Sequence, residues 1–149
     1  MRVSGGYGFS TIELVVVVAL SGAIAAIALP NWNRFLKSYH LNNSARQIQS
    51  ELHTLKSRAA AENVNFQLVY AAGARDYTIQ RDSIAIVTKA LAEGTTIAKA
   101  GKVTFSPRGT AAANRLRLLD DGQGACRQIV VSATGRVRSC TPNSCAEDC

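Results

Sequence analysis

Between Phe9 and Leu29 the chain is apolar at almost every position, and only Ser10, Thr11, Glu13, Ser21 and Gly22 interrupt the run. At 1.5 Å per residue this makes roughly 30 Å of helix, enough to cross a bilayer. Beyond Pro30 the pattern changes. Leu41, Ala45, Ile48, Leu52, Leu55 and Ala59 recur at steps of three and four, with Arg46, Gln47, Lys56 and Arg58 elsewhere, which predicts an amphipathic helix. Pro30 removes one backbone hydrogen bond inside this long helix and predicts a bend. After Asn63 the period falls to two. Short apolar runs predict strands at Phe66–Ala72, Tyr77–Gln80, Ser83–Thr88, Lys102–Ser106, Arg115–Leu119, Arg127–Ser132 and Arg136–Ser139, separated by Gly73, Pro107, Gly109, Gly122 and Gly135. The stretches "AEGTT" and "DDGQG" read as turns. The expected fold is α+β. A membrane-spanning half-helix (residues 9–30) continues as an amphipathic half (31–63), which packs on a mostly antiparallel sheet head (64–149) with a cysteine-containing tail.

Composition sharpens this picture in two places. The formal charge is +7, and the excess sits late: Lys99, Lys102, Arg108, Arg115, Arg117, Arg127, Arg136 and Arg138 face only Asp120 and Asp121 before Cys140. Such clustering suits an anionic partner, whether nucleic acid, phospholipid or an acidic protein face; a solvated, arginine-decorated sheet is the plainer reading. The four cysteines, Cys126, Cys140, Cys145 and Cys149, are late too. An even number in a chain with an export-type N-terminus suggests disulfides, and proximity favours Cys126–Cys140 and Cys145–Cys149. A zinc site is the rival, weakened by the absence of a nearby histidine.

Catalysis finds little support. His40 and His53 are the only histidines, and both lie on the predicted helix without a shared metal-binding face. No nucleophile triad, phosphate loop or carboxylate pair accompanies them, so neither an enzyme nor a cofactor or metal is expected. Trp32, Arg34, Lys37 and Tyr39 instead suit the edge of a membrane, where aromatic and basic residues collect.

Glu13 is the odd residue. A carboxylate in a membrane segment costs about 2.5–3.5 kcal/mol and normally has a partner. A secretory signal with Ala26-Ile27-Ala28 as its cleavage site leaves the acid inside the apolar region, and a plain signal anchor leaves it unexplained. Gly8, then Phe9, then "STIEL", resembles the class III signal of type IV prepilins and pseudopilins. The resemblance implies that residues 1–8 are a leader, that a prepilin peptidase cuts between Gly8 and Phe9, and that Phe9 is N-methylated. It further implies that Glu13 meets the amine of a neighbouring subunit and sets axial register, a pairing that low dielectric strengthens.

The C-terminal half carries a narrower resemblance. "VTFSPRGTAAANRLRLLDDGQGACRQIVVSATGRVRSC" is similar to the GspH/FimT family of minor pseudopilins and type IV minor pilins, through Phe105, Pro107, Gly109, Gln128 to Ser132 and Gly135-Arg136-Val137-Arg138. The family implies a type IV pilin-like fold, an inner-membrane anchor with the head in the periplasm, other pilin subunits as partners, and a place in the complex that initiates the filament tip. Its FimT branch implies double-stranded DNA bound without sequence specificity through the G-R-x-R tail. Arg136 and Arg138 alternate on an extended chain and Arg115 and Arg117 form a second alternate pair, so both could grip phosphates bidentately. The alternative is a type II secretion pseudopilin with a structural role alone.

Overall fold

The structure, a computed structural model, describes residues 10–122, 124–147 and 149, and for residues 27–31 and 34 the backbone alone. Among the described residues one helix precedes eight strands: α1 (Thr11–Glu62), β1 (Phe66–Tyr70), β2 (Asp76–Arg81), β3 (Ile84–Ala90), β4 (Thr95–Ile97), β5 (Gly101–Phe105), β6 (Asn114–Asp120), β7 (Cys126–Val131) and β8 (Val137–Cys140). The chain divides into two compact units between Leu36 and Lys37.

In the first unit the carbonyl of Ser10 accepts the Leu14 amide at 3.2 Å, which opens the helix, and the backbone stays helical through Pro30. From Ser10 to Ala26 every residue is exposed. Among the described residues no helix is long and apolar enough to cross a membrane.

In the second unit the predicted stripe of α1 is the core. Leu41, Ala45, Ile48, Leu52, Leu55 and Ala59 are all buried. Two four-stranded antiparallel sheets pack with it, ordered β3-β2-β1-β5 and β4-β6-β7-β8. Alternate residues of each point into the shared core, Phe66, Leu68 and Phe105 from the first and Leu116, Leu118 and Ile129 from the second. Each such side chain contributes about 1.5–3 kcal/mol by leaving water.

Where one sheet was expected there are two, and the reason lies at the β5–β6 connection. Strand β5 ends at a turn in which the Gly109 amide donates to Ser106 O at 2.9 Å, and a single bridge, Phe105 to Ala111, is all that continues the pairing. Asn114 joins the two sheets, donating to Lys102 O at 2.6 Å while its Oδ1 accepts the Tyr70 hydroxyl at 3.4 Å.

Two expectations need correction. "AEGTT" is not wholly a turn: after Gly94, the β-branched Thr95, Thr96 and Ile97 form β4 against β6. The cysteine pairing also differs, with Cys126 bonded to Cys145 and Cys140 to Cys149 (Cα–Cα 5.7 and 6.5 Å). Register explains it. Cys140 lies opposite Gln128, so Cys126 and Cys140 are offset along adjacent strands, and the tail folds back over β7 to reach both. All four sulfurs are in disulfides, which leaves no thiolate for a zinc site.

Candidate functional site

Glu13 sits in the first turn of α1 and is exposed. With Ser10 at the N-cap, Glu13 falls at the third helical position, the S-x-x-E spacing that favours a helix start and places an acid where the macrodipole welcomes it. The sequence reading missed this local role. The expected cleavage position between Gly8 and Phe9 lies outside the described residues.

The cationic residues gather on one face. Strand alternation turns Leu116 and Leu118 of β6, Ile129 and Val131 of β7 and Val137 of β8 inward, so Arg115, Val130 and Arg138 form one outward row across three strands. Two strand spacings place Arg115 and Arg138 about 10 Å apart at the backbone. Arg136 precedes β8 and is exposed beside Arg138, as the alternation predicted. Among the described residues, no hydrogen bond or ion pair engages the guanidinium of Arg136 or Arg138. The acidic residues of this half act elsewhere: Asp121 binds Arg75 at 2.5 Å, and Glu147 accepts Arg117 through its backbone carbonyl.

Two depressions follow these rows. One of about 560 Å³ is lined by Lys99, Asn114, Arg115, Arg117, Gln128 and Ser132 among others, and one of about 360 Å³ by Val130, Ser132, Thr134, Arg136 and Arg138. They share Val130 and Ser132, and no carboxylate lines either among the described residues. The result is a cationic strip crossing β6, β7 and β8. Lys99 belongs to it; the sequence marked it only as one of eight clustered cations, and its place beside β6 comes from the fold.

Arg117 departs from expectation. It is half-buried and donates to the carbonyls of Cys145 at 2.6 Å and Glu147 at 2.7 Å, so it fastens the tail. Beside it Gln128 is 1% exposed although it faces outward, and its Oε1 accepts the Cys149 amide at 3.1 Å. The tail is its cover.

The glycine before the arginines has a structural task. Gly135 has φ +71°, and a Cβ there would stand 2.1 Å from the Gly109 carbonyl oxygen. Lys56 of α1 donates to the carbonyl of Gly135 at 3.0 Å. The helix thereby pins the turn that launches Arg136 and Arg138. Among the described residues no cluster of three or more His, Cys, Asp or Glu could hold a metal ion.

Comparison with known proteins adds to this geometry. The model of the family described as "Type II transport protein GspH" matches residues 44–135, ending just before Arg136. Among solved structures, the fold is similar to the type IV minor pilin FimU of Pseudomonas aeruginosa (TM-score 0.57, 18% identity, covering 74% of this chain and 98% of that one). It is also similar to the minor pseudopilin EpsH of the Vibrio cholerae type 2 secretion system (TM-score 0.60, 16% identity, 70% and 99% covered). A comparison with curated proteins gives no match.

Proposed function

Since the chain belongs to the GspH family, it is a minor pilin or pseudopilin of the type II secretion or type IV pilus kind, and we propose that it works in the filament-tip complex and grips DNA there. The family's members are structural proteins, and no catalysis is assigned. Support for a DNA grip comes from one observation above all: Arg115, Arg136 and Arg138 stand together on an outward face whose two depressions no carboxylate lines among the described residues. Contacts of this kind go to phosphates, ignore sequence and weaken steeply with salt. Among the described residues no aromatic side chain lines either depression, so the reading includes no base stacking.

The remaining parts of the reading concern the helix. A prepilin peptidase cuts after Gly8, Phe9 is methylated, and the apolar half of α1 anchors the chain in the inner membrane with the head in the periplasm. The exposed Ile12, Leu14 and Val15 to Val18 suit lipid or a bundle of like helices, and Glu13 pairs with the amine of a neighbouring subunit. Intact-mass measurement of the purified protein tests the first step, because an uncut chain would end that part of the reading.

The DNA grip is tested by titrating the full-length protein in detergent with a short duplex at two salt concentrations, beside Arg136→Ala/Arg138→Ala. Binding that is salt-sensitive and lost in the double variant is the expected result. Absent binding at low salt, or binding the variant keeps, leaves the alternative of a purely structural pseudopilin. That alternative has an observation of its own, since the family match stops at Gly135 and does not include the two arginines.

A further inference from the structure

The tail after Cys140 contributes nothing to the apolar core, since every described residue in it is exposed or half-buried. Polar and covalent links hold it. Arg117 grips the carbonyls of Cys145 and Glu147, Gln128 holds the Cys149 amide, and the disulfides tie Cys145 to Cys126 and Cys149 to Cys140. Together these form a strap lying on the row Arg117, Gln128 and Cys140, adjacent to the row Arg115, Val130 and Arg138. A cation within the strip is therefore engaged by the strap.

We propose that this strap is a redox-released cover on the cationic face, and that opening Cys140–Cys149 frees the Arg117 nitrogen that holds the Glu147 carbonyl, so that it turns to the anion while its partner nitrogen stays on Cys145. The inference rests on the reading that this face binds a polyanion. The two disulfides differ in access. Cys149 is exposed and Cys140 half-buried, whereas Cys126 is 5% exposed, so a reductant reaches the Cys140–Cys149 bond first. A small dithiol supplies the chemistry. Its thiolate attacks one sulfur, the S–S bond breaks, and its second thiol resolves the mixed disulfide. Two electrons pass to the protein, Cys140 and Cys149 each take a proton, and the dithiol leaves as a disulfide. Residues beyond Cys145 then hang from Cys145 alone. Surface hydrogen bonds from Arg117 and Gln128 do not hold such an end against its regained conformational freedom. The departing end takes Glu147 with it.

The test uses the full chain in detergent with two probes, a short DNA duplex and inorganic polyphosphate, under oxidising conditions and with a dithiol. Amide exchange is followed at Ala146 and Glu147. Opening is expected to speed exchange there and to steepen the slope of log K against log salt by about 0.9, the increment of one phosphate contact. The Cys140→Ser/Cys149→Ser variant keeps Cys126–Cys145 and so separates release of the end from any loosening of the sheet. It should show the open slope in both conditions, and Arg117→Ala should remove the increment. DNA bound with one slope in both states overturns the cover and leaves the DNA grip standing. Polyphosphate showing the increment while DNA binds in neither state supports the cover and overturns the DNA grip. Exchange that stays slow in the double variant, or neither anion bound in either state, overturns the inference.

Discussion

The two sheets of the head solve the same folding problem and share little else. Each is antiparallel, four-stranded, and offers alternate apolar residues to the stripe of α1. Their outward sides diverge. The first ends on β3, an edge strand with Ile84 73% exposed, Ile86 and Val87 also exposed, and only Lys89, which is ion-paired to Glu51, as a charge. The second carries Arg115, Arg117 and Arg138 and is strapped by a cross-linked tail. Inward positions answer to packing, which any apolar side chain of the right volume satisfies. Outward positions are free of that demand, so differences in function are written there.

If the inward sides are equivalent, truncating either should cost the same. Leu68→Ala in β1 and Leu118→Ala in β6 both remove a fully buried side chain, and each should lose about 3–5 kcal/mol in denaturant melts. A large inequality would show that one sheet carries the core. The turns sharpen the contrast. Gly73, after β1, and Gly135, after β7, share φ near +70°, but a Cβ at Gly73 meets nothing within 4 Å. Gly135→Ala should therefore cost about 2–4 kcal/mol, from backbone strain plus overpacking against Gly109, and Gly73→Ala only about 1–2 kcal/mol of strain. Equal losses at the two glycines would mean that the Gly109 contact yields freely.

The smallest effect concerns pH. Burial raises the pKa of both Tyr77 and Tyr70 above 10, opposed in part by their hydrogen bonds to Gln47 and Asn114. A phenol held neutral by the fold stabilises it fully below the unfolded value, and that contribution fades as pH rises through the folded value. Melting temperature should thus fall in the alkaline range above pH 10, and Tyr77→Phe should flatten the fall. A variant that declines as steeply as the parent would remove Tyr77 from the account.

Much of this was legible because it depends on period. The α1 stripe from Leu41 to Ala59 and seven of the eight strands were visible as spacing, since a face must be apolar wherever it is buried. The shared outward direction of Arg136 and Arg138 follows from the same alternation. Strand β4 was hidden because three residues after a glycine hold too little pattern, and β6 rather than local preference makes them a strand. The disulfide pairing was misjudged because nearness in sequence is a poor guide once a tail folds back across a strand.

The sequence by itself determined the long helix, the buried face of its second half, the antiparallel head and the two alternating arginine pairs, all of which arise from local stereochemistry and the cost of leaving apolar groups in water. Only the tertiary structure decided that Arg115 and Arg138 share a row while Arg117 fastens the tail. It also revealed the Gly109 carbonyl behind Gly135, so near that an added Cβ would stand 2.1 Å from its oxygen. Those outcomes depend on which strands lie side by side and in what register. Register is a property of the assembled sheets, set by many weak contacts at once, and no short stretch of the chain contains it.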